Sequence, residues 1–416
     1  QDLRECLAQW QSHGRIDAFA LGEQGSSDRL MIPEKLYGRE LEVSALIAAF
    51  DRSIASGSPE LMLVTGYSGI GKSSVVNELH KALVPPRGLF AAGKFDQYRR
   101  DVPYATLVQA FQSLVRTLLG KNDTELAQWR DALQDALDAE AGLMTDLIPE
   151  LKLIIGDPPP VQALEPQQAQ RRFLLVFRRF IGVFARAGHP LALFLDDLQW
   201  IDAATLDLLE DLLTSSDVQH LLLVGAYRSN EVNDSHPLTG KLHAIRNGGG
   251  RIDEITLAPL AKTHIERLIA DALHDEPAHI EPLAQLVLEK TAGNPFFVIQ
   301  FLHALADEKL LTFDHQQKQW CWSPDRIHAM GYTDNIVDLM VGKLTRLPAQ
   351  TQHALQQLAC LGNVAGTAAL STVLGMTKAQ VRTVFWDAIR QELVHRLEGA
   401  YGFAHGRYIY LGSARN

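Results

Sequence analysis

Residues Gly66-Tyr67-Ser68-Gly69-Ile70-Gly71-Lys72-Ser73 follow the spacing G-x-x-x-x-G-K-S. Glycines so placed let successive backbone N–H groups curl around phosphate oxygens. A helix opening near Lys72 aims its positive end at the same anion. The Lys72 ammonium can reach β- and γ-phosphates, and the Ser73 hydroxyl can ligate Mg2+. At average composition a chain of this length meets the pattern by chance roughly once or twice in a hundred. The chemistry expected here is the binding of a nucleoside polyphosphate, with Gly66, Gly69, Ile70, Gly71, Lys72, Ser73 and Ser74 as its contacts.

A second group lies about 125 residues on, where five apolar residues, Leu191 to Leu195, end in Asp196 and Asp197. A buried strand has no use for adjacent carboxylates unless they face something cationic. Beside a phosphate loop that something is Mg2+ with its waters. Asp196 is expected in the metal shell with Ser73. Asp197 is expected to orient or activate an attacking water, or else to serve as an acid at the start of the next helix. The apolar run from Leu221 ends in Arg228. A guanidinium there can bond a γ-phosphate through charge-assisted hydrogen bonds, or pair with Glu231 or Asp234. Lys72, Asp197 and Arg228 are therefore the expected catalytic residues.

These groups need elements to carry them. Short apolar runs at 61–64, 88–92, 191–195, 221–224 and 252–257 alternate with helical periodicity at 40–52, 72–83, 106–119, 123–155, 167–187 and 203–213. Uniformly apolar strands alternating with helices predict an α/β fold with a parallel five-stranded sheet covered on both faces. After residue 258 the strands stop. Thr263 and Glu266 have capping-box spacing before a helix to about Leu273, and a further helix is expected over 281–290. Asn294-Pro295 supplies an N-cap and a first-turn proline for a helix to about Ala306. Residues 311–322 predict a hairpin or wing, 335–391 a helical set, and 393–397 with 401–405 a two-stranded wing.

The net charge is −10, and apolar residues make up 46% of the chain, which argues against disorder over most of its length. No apolar run approaches the roughly 20 residues that span a bilayer, so no membrane span is expected. Cys6, Cys321 and Cys360 lie far apart. That excludes a disulfide scaffold and a clustered zinc site, and a reducing cytoplasmic setting is expected. The chain begins at Gln1 without Met, and is read as a piece of a longer polypeptide.

Taken together, these features resemble the STAND class of signal-transducing ATPases, within the AAA+ group of P-loop proteins. Leu36-Tyr37-Gly38-Arg39-Glu40 looks like the class's N-terminal adenine-side motif, and Asp196-Asp197 resembles its paired-acid Walker B. Gly293-Asn294-Pro295 sits where the class has G-x-P, which implies Pro295 against the adenine. Phe403-Ala404-His405 resembles the histidine element of its winged-helix domain, which implies His405 on the β-phosphate of ADP. Gly406 stands where the class usually has Asp. Simpler roles exist for these residues: Arg39 pairing with Glu42, Tyr37 packing, Pro295 only starting a helix, and His405 only sitting in a wing strand. The phrase Ile32 to Glu40 and the stretch Gly93 to Tyr98 are similar to the ATPase module of very large bacterial sensor kinases. Those chains join a Ser/Thr-kinase-like domain, this ATPase, a sensor and a histidine kinase.

The resemblance covers roughly residues 30–411. It implies a linker over 1–30 after an absent domain, and a P-loop AAA+ core over 31–257. A helical lid with a hairpin follows over 258–334. A C-terminal winged-helix-like domain, truncated at its end, occupies 335–416. It further implies an ATP/ADP-dependent switch with slow hydrolysis, regulating attached domains of the same polypeptide and forming a homo-oligomer on activation. No kinase signature lies within these residues. Two other functions compete: a nucleotide-locked scaffold without useful turnover, and a DNA-binding AAA+ protein. The second would use a helix at 378–391, which carries Lys378, Arg382 and Arg390 but also Asp387. That footprint is thin and the chain is acidic, so nucleic acid is not an expected partner.

Overall fold

The computed structural model describes residues 30–83, 88–97, 102–317, 319–329, 344–362, 364–391, 393–397 and 399–403. Five parallel strands form the central sheet: β1 (Glu60–Gly66), β2 (Leu89–Lys94), β3 (Leu191–Asp196), β4 (Leu221–Arg228) and β5 (Arg251–Thr256). Their order is β2-β3-β4-β1-β5. β1 and β3 are buried along their whole length. That is why they read as unbroken apolar runs: helices cover both faces. β5 is an edge strand with exposed and half-buried positions, and it carries Arg251, Asp253 and Glu254, which blunt that edge. Buried Glu60, at the amino end of β1, is neutralised by Arg52 at 3.1 Å and Arg251 at 3.6 Å.

Parallel pairing brings all the strand ends to one edge. Lys94 stands opposite Asp196, Leu195 opposite Gly225, and Gly66 opposite Arg228. Ligands of open α/β sheets gather outside this carboxyl edge. The helices Lys72–Leu83, Ala105–Leu119, Pro166–Phe184 and Ala203–Thr214 pack on the sheet. Phe111, Phe177, Phe180 and Phe184 interlock between two of them, with edge-to-face pairs 5.0 Å apart at Phe111–Phe180 and Phe180–Phe184. The expected helical stretch 123–155 is broken into Asp123–Leu137, Ala141–Leu147 and Lys152–Ile155 by Asp138 at φ 44° and by Pro149. A helix Pro237–Asn247, which the sequence reading did not include, buries Leu238, Leu242 and Ile245 at helical spacing.

The chain divides into two compact units. One comprises Arg39–Ala258, Gln356–Thr383 and Gln391–Asn416, and contains the parallel sheet. The other comprises Gln1–Gly38, Pro259–Leu355 and Val384–Arg390. In this second unit the helices Lys262–Leu273, Pro277–Thr291 and Pro295–Asp307 bury Ile265, Ile269, Val287 and Phe301. Asn294 does cap the last of these, accepting a bond from the Phe297 N–H at 3.4 Å. The capping box expected at Thr263 is absent. The helix starts at Lys262 after Ala261, which offers no side-chain cap, so the S/T-x-x-E spacing that begins at Thr263 lies two residues past the cap. The hairpin is present as β6 (Leu311–Asp314) paired antiparallel with β7 (Gln319–Trp322).

Toward the C-terminus come the helices Ala349–Leu361, Thr367–Leu374 and Lys378–Arg390. They accompany a small antiparallel sheet of β8 (Val364–Gly366), β9 (Val394–Leu397) and β10 (Ala400–Phe403), ordered β8-β10-β9. The sequence reading found its hairpin and missed β8, which is only three residues long.

Candidate nucleotide site

The loop between β1 and the helix Lys72–Leu83 turns on glycines. Gly66, Gly69 and Gly71 have φ of 144°, 76° and 97°, a region that L side chains rarely enter. A Cβ at Gly66 would press on the Leu257 carbonyl at 2.9 Å, whereas one at Gly71 would meet nothing within 4 Å. The first glycine is thus required by packing and the second by backbone direction. Ile70, 1% exposed, anchors the loop in the core. Arg39 ties the loop from outside: its guanidinium donates to the Ile70 carbonyl at 3.3 Å and to Ala258 at 2.6 Å. It also pairs with Glu42 at 3.4 Å.

Lys72 is buried and its Nζ donates to the carbonyls of Gly66 and Tyr67, each at 3.0 Å. Burial pushes its ammonium down to about 8, opposed by the carboxylates of Asp196 and Asp197 and aided by Arg228 and Lys94. The Ser73 hydroxyl donates to Asp196 Oδ2 at 2.9 Å. A hydroxyl and a carboxylate oxygen so close, at the foot of a phosphate loop, suit a hard divalent cation that takes its other ligands from phosphate and water. Among the described residues no group of three or more His, Cys, Asp or Glu could hold a metal unaided. A Mg2+ ion would therefore rely on Ser73 and Asp196 with the nucleotide.

Asp197 adopts a left-handed backbone at φ 57°, which the short side chain tolerates. Its N–H donates to Asp196 Oδ1 at 2.9 Å. Lys94 Nζ at 3.0 Å and Gln199 Nε2 at 2.9 Å meet its carboxylate, and Arg228 Nε forms a longer ion pair with it at 3.7 Å. Burial alone would raise this carboxyl, but Lys94, Gln199 and Arg228 hold it below the usual carboxylate range. The same two acids reverse the effect of burial on Lys94 and raise its ammonium. Arg228 pairs with Glu231 at 2.6 Å, as one sequence alternative held, but it is 8% exposed rather than a surface residue. Its guanidinium lies 5.0 Å from the centre of the Trp200 ring. Asp202 is the cap of the following helix, accepting from the Thr205 N–H at 2.8 Å.

The structure thus brings together Gly66, Gly69, Ile70, Gly71, Lys72, Ser73, Asp196, Asp197, Arg228 and Arg39 in one unit, with Ser74 exposed in the first turn of the helix. Tyr37, Gly38 and Pro295 belong to the other. There Tyr37 is buried and its hydroxyl donates to Asp271 Oδ2 at 2.8 Å. Gly38 has φ 61° and leaves no room for a Cβ beside the His264 ring. His405 lies outside the described residues. Sequence reasoning gave no role to Lys94 or Gln199. Lys94 carried a usable signal, a charge ending an apolar strand, which is the argument already applied to Asp196.

Residues 35–224 match the family model of the AAA ATPase domain (AAA_16). The chain is 29% identical over 446 residues to the hybrid signal transduction histidine kinase G of Dictyostelium discoideum, covering 92% of this chain and 13% of that protein. It is 24% identical over 207 residues to histidine protein kinase 1 of Candida albicans, covering 46% of this chain and 8% of that protein. The chain therefore spans well under a fifth of the length of these relatives. Among solved structures, Cdc6p from Pyrobaculum aerophilum is similar at a TM-score of 0.43 and 13% identity, over 95% of this chain and 97% of that one. Residues 35–224 are thus similar in sequence to the AAA ATPase domain, and the chain as a whole is related to signal-transduction histidine kinases.

Proposed function

We propose that this chain is the ATP/ADP-dependent switch of a larger signalling protein, with slow Mg-ATP hydrolysis of the STAND kind. The observation that carries the reading is the 2.9 Å bond between Ser73 and Asp196, beside a lysine parked on its own loop. The backbone N–H groups of residues 69–74 would hold the phosphates. Lys72 would exchange two neutral carbonyls for charged phosphate oxygens, a gain of charge-assisted bonding. Ser73 and Asp196 would hold Mg2+, which when bound would neutralise developing phosphate charge. Asp197 would orient the attacking water, and Arg228 would contact the γ-phosphate after giving up part of its pairing with Glu231.

Asp197's lowered proton affinity makes it a weak base, since general-base efficiency peaks when the pKa lies near the working pH. Slow turnover follows from that. The same observation favours the second reading, a nucleotide-locked scaffold. Attached domains of the same polypeptide are the proposed output, and self-assembly on activation the proposed consequence. Tyr37, Gly38, Arg39 and Pro295 are proposed on the adenine side. The C-terminal helices and wing are proposed as winged-helix-like, with His405 on ADP. Identifying the nucleotide that copurifies, and measuring phosphate release from added Mg-ATP, separates the readings. A switch holds ADP and releases phosphate; a locked scaffold holds nucleotide and releases none.

A further inference from the structure

Lys94 closes β2 and stands opposite Asp196 in the parallel ladder. Its Nζ lies 3.4 Å from Asp196 Oδ2 and 3.0 Å from Asp197 Oδ2. The same Asp196 oxygen takes the Ser73 hydroxyl at 2.9 Å. Ammonium, hydroxyl and carboxylate therefore meet at one oxygen, in the corner where a divalent cation would find its protein ligands. Among the described residues Lys94 is the cation that pairs with both acids. Lys72 is engaged with loop carbonyls, and Arg228 shares itself between Asp197 and Glu231.

Exposure differs sharply across this cluster. The Lys94 side chain keeps 41% of its surface, whereas the side chains of Asp196 and Asp197 keep 9% and 6%. The lysine can swing toward solvent; the acids cannot. Two adjacent buried carboxylates without a counter-charge would be strongly unfavourable, so some cation must stay with them in the absence of metal.

We propose that Lys94 is the internal counter-ion of the metal corner. It neutralises Asp196 and Asp197 and must swing away before a divalent cation is held there, so it sets the affinity for that cation. This rests on the reading of Ser73 and Asp196 as metal ligands. Metal uptake is then an exchange of one cation for another. Free divalent ions bind weakly to the nucleotide-free chain and are retained only when phosphate oxygens add to the site. Lys94 is a positioning residue in this account, acting through the two acids.

The test titrates Mn2+ onto the nucleotide-free chain and reads free Mn2+ by electron paramagnetic resonance. Lys94→Gln should bind Mn2+ on the order of tenfold more tightly than wild type, a Coulomb effect discounted for the exposed lysine. Lys94→Arg keeps the charge and should stay at the wild-type value. Lys94→Gln combined with Asp196→Asn should lose the gain. Equal Mn2+ affinity in wild type and Lys94→Gln overturns the proposal, as does a gain that survives Asp196→Asn. Thermal unfolding with and without Mn2+ guards against a poorly folded variant: Mn2+ should raise the midpoint of Lys94→Gln more than that of wild type, and an equal rise counts against the proposal. Failure of the wild-type chain to bind Mg-ATP would sink the nucleotide reading instead, without changing the Mn2+ comparison.

Discussion

Lys72 illustrates how burial prepares a side chain. It is 7% exposed, its ammonium sits near pKa 8, and among the described residues two carbonyls receive it. A polyphosphate would satisfy that charge far better, so Lys72→Ala should weaken Mg-ATP binding by about a hundredfold or more, from lost charge-assisted bonds of about 1.5–3 kcal/mol each. Calorimetric titration checks this, and undiminished affinity would refute the loop's role. The neighbouring acids should separate by function. Asp197→Asn should bind Mg-ATP normally while phosphate release falls by about 10²–10⁴-fold, the usual share of a general base. Asp196→Asn should instead weaken the dependence of binding on Mg2+. Equal phosphate release in wild type and Asp197→Asn would make Asp197 a structural residue. Lys72, Ser73 and Asp196 were legible because their chemistry is written locally, as a fixed spacing or an acid ending an apolar run. Gln199 was not, because its task is to steady Asp197 and support the Arg228 N–H, a relation that only folding creates.

At the scale of elements, β2 delivers Lys94, and Gly93 decides how closely β2 can approach its covering helix. A Cβ there would collide with the carbonyl of Thr106. Gly93→Ala should cost about 1–3 kcal/mol by overpacking against backbone, read as a lower denaturant midpoint with an unchanged slope. The helix Lys262–Leu273 offers a pH test in the other unit. Burial would raise the Asp271 carboxyl, but the Tyr37 hydroxyl and the Lys35 ammonium hold it below its ordinary value. A carboxyl lowered by folding adds stability above its unfolded pKa and loses it as pH falls through the folded one. Wild type should therefore exceed Asp271→Asn by a few tenths to about 1 kcal/mol near neutrality, since the pair is partly exposed. The gap should close as pH drops below the ordinary carboxylate range; a gap that persists there would remove Asp271's charge from the account. The five strands of the sheet were readable because each is a compact apolar run between turn signals. Their order was not, since β1 lies between β4 and β5 through pairings that no local pattern encodes. The helix Pro237–Asn247 was overlooked, although Leu238, Leu242 and Ile245 stand at helical spacing and His236 with Pro237 forms a cap and first turn.

The whole molecule joins a parallel sheet bearing the phosphate loop to a helical unit, in a chain that covers 13% of a long histidine kinase relative. The proposed switch must respond differently to ATP and ADP, because a ligand shifts an equilibrium only by its difference in affinity for the states. The solution scattering radius should therefore differ between the ADP-bound and ATP-bound chain, and His405→Ala should speed ADP release. Identical radii would argue for a locked scaffold. The central claim is that the loop at Gly66–Ser73 and the acids at Asp196 and Asp197 form a working, slow ATPase. Phosphate release from Mg-ATP by wild type and Asp197→Asn, with nucleotide binding followed in parallel, tests it most directly. Binding should be equal, with wild-type turnover below about 1 per second, at the slow end for enzymes, and none detectable in Asp197→Asn. Tight binding with no phosphate released by wild type would contradict it.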